Sequence, residues 1–470
     1  MAARSLVLVS GFLVTAILAR GLGPTDYGIY GVIISQLLWL ELLMHAGVPG
    51  AIAKLVADGR HDQSEIEQSA RLVLISFALL LLAICWFLAP QLASLMKIPH
   101  GTVLFRVAII DLPFAAIFTS YDGILTGRRE FGVLAATHLL YGVTKLVGVV
   151  VLVGLGLSVE RVLIVFVLAT CVVCTLLTIR YRPRGFRPNG LIIRDIAVIT
   201  APISIYLILG QVLLNLDLWA LKGFWHGEGE VIGYYVASAN LAKVLMVIPG
   251  AQAAVLFTSV AWAVASRDGA RAQRHIHEAS RFAVIIAAAA WIILGFDASG
   301  TLSVLFSSSY AEGQRFLQLQ LAGVGFFALL DAYSHSLMAA GRQWHVAAAL
   351  AVTTLFVGVS NYVLIPWLGP TGAAISMVFG TAIGAVATGS MAYHYFGSLI
   401  RSSTLLRVLV AGAAVGVVSA ALQVSGPLVI VKLAILGGLY LFVLYMLGEI
   451  TGEDFGLSIK GAAEPSAGKI

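Results

Sequence analysis

The sequence predicts an all-α, polytopic membrane protein of about fourteen transmembrane helices. Three observations predict it. The 470-residue chain is 60% hydrophobic and 11% charged, with mean hydropathy +0.96. Soluble domains carry about 25% charged residues, because their surface must face water. The apolar residues fall into runs of about 20, the length a helix needs to cross roughly 30 Å of hydrocarbon. Lys and Arg collect in every second connector between runs, as the positive-inside rule requires.

Charge and Gly/Pro punctuation bound the runs. The predicted helices are 4–20, 28–51, 70–90, 102–125, 131–155, 160–180, 196–220, 231–263, 279–297, 315–340, 344–366, 371–396, 402–424 and 427–448. The first run starts almost at Met1 and has no small-residue cleavage site after it. It is therefore a span and not a signal peptide, and so abrupt a start is compatible with further chain upstream. The longest connectors are 52–69, 181–195, 264–278 and 298–314, too short for a soluble domain. The Gly/Glu/Ser/Lys-rich tail, 449–470, is expected to be disordered.

Placing the N-terminus in the cytoplasm puts twenty of the 29 Lys and Arg on the cytoplasmic side, including Arg180, Arg182, Arg184, Arg187 and Arg194 in one connector. Six lie on the opposite side, and Lys145, Lys243 and Lys432 fall within the runs. A wrong helix count would scramble this asymmetry, so both termini are expected in the cytoplasm.

The chain also repeats itself. Gly28 and Tyr30 align with Gly233 and Tyr235, Gly127-Arg128 with Gly341-Arg342, and Gly156 with Gly369. Equivalent helices are six spans apart and enter from the same side, so the repeat is parallel, a plan known in secondary transporters. The expected organisation is an N-lobe (1–180, six spans), a basic linker (181–195), a C-lobe (196–396, six spans), two accessory spans (397–448) and the tail.

The segment Arg20-Gly21-Leu22-Gly23-Pro24-Thr25-Asp26-Tyr27-Gly28-Ile29-Tyr30 resembles the R-x-L-G-P-x-x-Y/F-G-x-Y segment of Wzx-type polysaccharide flippases. These belong to the multidrug/oligosaccharidyl-lipid/polysaccharide (MOP) superfamily. Ala46-Gly47-Val48-Pro49 is similar to that family's Gly-rich exit from the second helix. The motif residues are Arg20, Gly23, Pro24, Tyr27, Gly28 and Tyr30. The resemblance implies alternating access between two lobes. It also implies an undecaprenyl-diphosphate-linked oligosaccharide as substrate and a bacterial inner-membrane location. Membrane lipids, a polysaccharide polymerase and chain-length machinery are the implied partners, and the implied state is a monomer without cofactor or nucleic acid. The lipid II flippases of the superfamily carry extra arginines along the first helix, whereas here Arg4 and Arg20 stand only at its ends.

Charge inside a bilayer is costly and marks function by default. Lys145 shares a helical face with His138, Tyr141 and Gly148, and Lys243 follows Asn240. If the two helices face each other, Lys145 and Lys243 form a cationic chamber for a diphosphate, with His138, Tyr141 and Asn240 beside them. The competing reading pairs each lysine with a buried carboxylate. Glu41 with His45, and Asp331 with His335, are candidates for proton coupling, and Asp111, Asp217, Ser204, Gln211 and Asn215 supply further polar groups. Arg20 and Asp26 flank a tight turn and are expected to pair locally. Cys171-x-x-Cys174 lies in an apolar run, where two small side chains on one face are expected and not a metal or redox site. His275-Ile276-His277 belongs to an amphipathic, lipid-facing connector, and no metal site is expected. Two other function classes remain: a drug or cation antiporter, and a polytopic sugar-polymerising or ligating enzyme. The enzyme needs an external catalytic loop, but the longest connector on that side, Asp297 to Gln314, holds Asp297 and Glu312 without a His or Arg.

Overall fold

The computed structural model describes residues 2–59, 61–182, 188–397, 399–422, 424 and 426–451. Arg60, the centre of the basic linker (183–187) and the tail from 452 onward lie outside the described residues. Among the described residues eighteen α-helices follow one another. They are α1 (Ala2–His45), α2 (Val48–Asp58), α3 (Gln63–Leu95), α4 (Gly101–Ile109), α5 (Asp111–Gly127), α6 (Phe131–Leu155) and α7 (Val159–Tyr181). Next come α8 (Gly190–Leu213), α9 (Leu216–Phe224), α10 (Gly229–Lys243), α11 (Val247–Ala265), α12 (Gly269–Ala290) and α13 (Ala298–Leu305). The last are α14 (Gln314–Ala339), α15 (Gln343–Leu368), α16 (Pro370–Phe396), α17 (Ser402–Ala421) and α18 (Leu428–Met446).

Among the described residues twelve helical stretches are long and apolar enough to cross a membrane, and the bent α8 makes a thirteenth. The first of the twelve is two spans. At 1.5 Å per residue, the 44 residues of α1 would reach about 66 Å, twice the hydrocarbon thickness. The chain breaks at Gly23 (φ 74, ψ 170), a conformation open to a residue without Cβ. Pro24 follows, its fixed φ suited to starting the next helix. Before the break, Ser10 and Gly21 lie against Gly142 and Leu157 of the α6 segment; after it, Ile52 and Val56 lie against Gly123 and Gly127 of α5. Since α5 and α6 are antiparallel, the chain reverses at Gly23-Pro24, and fourteen spans result.

Several spans are broken. Span 4 joins α4 to α5 at Ile110, and span 7 joins α8 to α9 at Leu214-Asn215. Within α8 the axis bends by 47° between Ala201 and Ser204, at the position where Pro202 offers no N–H. Span 8 passes from α10 through a 3-10 turn, Val244–Met246, into α11. There Pro249 cannot donate back to the Leu245 carbonyl.

The start of α1, the described ends of the connectors after α2 (59, 61–62) and after α7 (182, 188–189), and the connectors at 128–130, 266–268 and 340–342 share one end of the bundle, here called proximal. The turns at Gly23-Pro24, 96–100, 156–158, 225–228 and 306–313 share the distal end. Spans 1–6 and 7–12 form two lobes, with spans 13 and 14 docked on the second. Small residues let helices approach closely within the C-lobe: Gly323 faces Met377, Gly384 faces Leu330 and Gly389 faces Tyr333.

The lobes meet distally, where the start of span 2 runs beside α10 and Gly28 backs onto Gly233. The repeat aligns these two glycines with each other, and equivalent residues meet where a two-fold axis passes. Toward the proximal end α11 turns onto α12 and α14 of its own lobe. The accessory spans are tied to span 9. Glu449 accepts from Arg281 Nε (3.1 Å), Arg407 Nη1 (2.9 Å) and Thr404 (2.8 Å), and Lys432 pairs with Asp297 at 2.9 Å.

Candidate functional site

Among the described residues, polar groups within the spans gather in clusters in both lobes. In the N-lobe, Lys145 on α6 rests its ammonium over the rings of Tyr141 (4.4 Å) and Phe166 (4.0 Å). Both faces attract a cation through the ring quadrupole. The carboxyls of Glu41 (α1) and Asp111 (first turn of α5) lie beside it. Thr170 is a second neighbour of Asp111, whose Oδ1 is buried without a hydrogen-bond partner. His45 Nδ1 donates to the Glu41 carbonyl (3.0 Å), and its Nε2 meets Thr119 Oγ1 at 2.8 Å. Thr119 also reaches the Ala115 carbonyl at 2.7 Å. The hydroxyl can donate to either acceptor, so this geometry satisfies both neutral and protonated His45.

In the C-lobe, Lys243 ends α10 and donates to Asn215 Oδ1 at 2.8 Å. Asn215 stands at the break of span 7 and Lys243 at the break of span 8, so one hydrogen bond joins the two hinges. Asp217 lies within Coulombic reach of Lys243. It accepts from the Tyr235 hydroxyl and, at 2.9 Å, from Gln320. Deeper in the same lobe, Asp331 accepts from Tyr206 and lies 3.4 Å from His335, whose Nδ1 also donates to the Asp331 carbonyl.

The predicted site residues are therefore brought together in part. His138, Tyr141 and Lys145 share a face: Phe118 touches the rings of His138 and Tyr141. His138 itself pairs with Asp122 (3.3 Å) and not with the lysine, and Gly148 faces Val165. Asn240 donates to the Tyr27 hydroxyl at 3.0 Å, so it links the lobes. Lys145 and Lys243 do not form one pair; each has partners within its own lobe. Ser204 binds the Ala46 carbonyl of the other lobe at 2.7 Å. Composition and spacing pointed to none of Thr119, Thr170, Tyr235 and Gln320 as members of a cluster. Each is an uncharged residue in an apolar helix, and only packing discloses its neighbour.

The family-motif segment builds the distal seam. Tyr27 is fully buried among Tyr30, Phe306 and Tyr310, and Tyr310 donates to the Ala19 carbonyl (2.8 Å). The expected Arg20–Asp26 pair is corrected here. Arg20 Nη2 donates across the seam to the Val304 carbonyl, because at the end of span 1 its side chain points to the other lobe and not along its own turn. Cys171 and Cys174 are free thiols, and Cys174 donates to the Phe114 carbonyl. His277 donates to the Leu399 carbonyl and His275 lies 3.8 Å from Glu278.

At the proximal end a cavity of about 210 Å³ opens between α2 and α8, lined by Lys54, Leu55, Asp58, His61, Asp195, Val198 and Ile199.

The profile of the polysaccharide biosynthesis protein family matches residues 2–261, more than half of the chain. The chain belongs to the polysaccharide biosynthesis protein family. No curated protein sequence matches it significantly. Among solved structures, the lipid II flippase MurJ in an inward closed conformation is similar in fold, with TM-score 0.79, 13% identity, and coverage of 97% of this chain and 98% of that one. An inward-facing multidrug resistance MATE family transporter of the MOP superfamily gives TM-score 0.70 and 15% identity, covering 82% and 93%. A MOP superfamily transporter from Pyrococcus furiosus gives 0.61 and 15%, covering 84% and 93%. This member of the polysaccharide biosynthesis family thus has the MurJ/MATE transporter fold.

Proposed function

We propose that this protein is a flippase of the bacterial inner membrane. It moves undecaprenyl-diphosphate-linked oligosaccharide units to the outer leaflet for O-antigen, capsule or exopolysaccharide assembly. One observation carries the reading: each lobe keeps a lysine inside the bilayer-spanning region, Lys145 over two aromatic rings and Lys243 on a neutral amide. A diphosphate leaving water needs such neutralisation. Lys145 is held by aromatic faces, with two carboxyls nearby. Lys243 is held by a neutral amide. Both ammoniums keep hydrogen-bonding capacity for an anion, with Tyr141 and Asn240 beside them.

The lobes in this reading are 1–180 and 196–396. The positive-inside asymmetry supports a cytoplasmic proximal end and cytoplasmic termini. The distal seam is then the closed outer gate, and the cargo enters from the inside. Rocking of the lobes opens the seam and delivers the cargo outward. Glu41 with His45, and Asp331 with His335, are the groups that take up a proton during the cycle. A polymerase and its chain-length machinery receive the product.

A cation or drug antiporter is the second reading. The Glu41–Asp111 pair favours it, since two carboxyls on one ammonium can also accept an external cation.

The test is a strain deleted for the gene. An undecaprenyl-diphosphate oligosaccharide that accumulates, stays accessible only from the cytoplasmic side, and is accompanied by loss of surface polymer establishes the flippase. Normal lipid intermediates and normal polymer would sink it in favour of the antiporter.

A further inference from the structure

The turn between α3 and α4 carries an unusual residue choice. Lys97 (φ 49) and His100 (φ 53) both occupy the left-handed region. At Lys97 the α3 carbonyls of Ser94 and Ala93 are capped by the N–H groups of Lys97 and Ile98, a helix ending where glycine is the usual residue. A lysine is strained there, and such strain persists at functional positions. Its side chain leaves the N-lobe. The Lys97 ammonium donates to His226 Nε2 in the 225–228 turn of the C-lobe at 2.6 Å. His226 Nδ1 donates to the Phe224 carbonyl at 2.7 Å, so the contact is made by neutral His226.

A third base completes the group. Lys222, in the last turn of α9, lies within Coulombic reach of Lys97. Among the described residues none of these three bases forms an ion pair. The nearby carboxylates Glu228, Glu230 and Glu312 gather instead around Tyr234. The Lys97 ammonium and the His226 imidazole thus meet from the two lobes at the distal seam, with the Lys222 ammonium two residues before the Phe224 carbonyl that His226 binds, and among the described residues no carboxylate forms an ion pair with them. Like charges held together in this way repel, and a phosphate, with several acceptor oxygens, supplies the missing partner.

We propose that Lys97, Lys222 and His226 form a phosphate-binding site across the distal seam, and that its occupancy holds the two lobes together there. The ligand class is a phosphate monoester, diester or diphosphate, carried by a lipid headgroup of the facing leaflet or free in solution. The site is separate from the clusters around Lys145 and Lys243 and does not depend on the identity of the cargo.

The readout is closure of the seam itself. A Cβ on Gly229 would lie 3.2 Å from the Thr25 side chain of the other lobe. A Thr25→Cys/Gly229→Cys pair, in full-length protein with Cys85, Cys171 and Cys174 replaced by Ala, therefore cross-links when the seam is shut. Inorganic pyrophosphate at millimolar concentration is added in detergent. In parallel, nanodiscs of phosphatidylglycerol are compared with nanodiscs of phosphatidylcholine. The expected result is that at least one probe speeds cross-linking about fivefold, the scale of an exposed charge pair. Lys97→Gln and Lys222→Gln abolish the effect and Lys97→Arg keeps it. Acceleration by phosphatidylglycerol alone assigns the site to a lipid headgroup, and acceleration by pyrophosphate as well assigns it to free phosphate. No acceleration by either probe, or equal acceleration in the Gln variants, overturns the proposal. The thermal midpoint of the protein with its native cysteines, with and without pyrophosphate, gives the same answer without the cysteine replacements. Normal lipid intermediates in the deletion strain would remove the flippase reading and leave this result standing.

Discussion

Gly28 and Gly233 meet backbone to backbone across the two lobes: a Cβ built on Gly28 would lie 2.8 Å from the Gly233 nitrogen, and one on Gly233 only 1.9 Å from the Pro24 carbonyl oxygen. Neither obstacle is a flexible side chain, so neither can rotate away. Gly31 differs, because its added Cβ would meet Val236 Cγ1 at 2.2 Å, a side-chain atom that can repack.

A graded series follows for the seam. Gly233→Ala is expected to prevent distal closure and abolish transport at normal expression. Gly28→Ala should impair it, and Gly31→Ala should be tolerated best. Cross-linking of the Thr25→Cys/Gly229→Cys pair checks this directly. If Gly233→Ala cross-links as fast as its parent, the close approach has no bearing on gating.

Lys145 is expected to matter for stability as well as for transport. Removing it leaves the Glu41 and Asp111 carboxyls against two aromatic rings with no cation. Breaking a buried pair in this way costs about 3 kcal/mol, read as a drop in the thermal midpoint of Lys145→Gln in detergent. Lys145→Gln/Asp111→Asn should recover most of the stability and none of the transport. Recovery of both would show that the lysine only offsets the carboxyls.

Much of the architecture was legible in the sequence. Spans announce themselves through length and charge, and the Gly23-Pro24 reversal through its own residues. The parallel repeat was visible in glycines at matching turns, and its pairing of Gly28 with Gly233 turns out to be a physical contact. Partners were less legible. Arg20 was expected to meet Asp26 six residues away, but it reaches Val304, 284 residues on. In a membrane bundle both the lipid-facing and the core-facing sides of a helix are apolar, so periodicity does not disclose how each helix is rotated. For that reason Lys145 and Lys243 could be placed inside spans but not assigned neighbours.

The Lys243–Asn215 bond makes a prediction with two signs. Asn215→Asp converts a neutral acceptor into a charged one, roughly doubling the strength of the bond. It should hold the span 7 and span 8 hinges together and slow turnover. Asn215→Ala should free the ammonium and loosen the hinges, leaving more of the protein with the distal seam open. Turnover in reconstituted vesicles and seam cross-linking separate the two. Equal behaviour of both variants would exclude a latch.

Glu41 and Asp331 make competing claims to the coupling proton, and substitution distinguishes them. Transport by Glu41→Gln, or by Asp331→Asn, should no longer respond to an imposed proton gradient, while cargo binding persists. The cleaner effect is expected from Glu41, because it lies beside Asp111 and Lys145, whereas Asp331 is engaged by Tyr206 and His335. Full gradient dependence in both variants would remove both carboxyls from the cycle.

The accessory spans are held at two separated points, and this predicts additivity. Glu449, 4% exposed, binds Arg281, Arg407 and Thr404, so Glu449→Ala leaves two guanidinium groups facing each other, at a cost of about 3 kcal/mol. Lys432→Ala leaves Asp297 unpaired near the opposite end of α18. Sites this far apart should add within about 0.5 kcal/mol. Each single variant is expected to raise proteolysis at the 397–401 connector, and the double variant to release spans 13 and 14 while spans 1–12 stay folded. Cooperative loss of the whole fold in Glu449→Ala alone would instead make the accessory pair part of the C-lobe core.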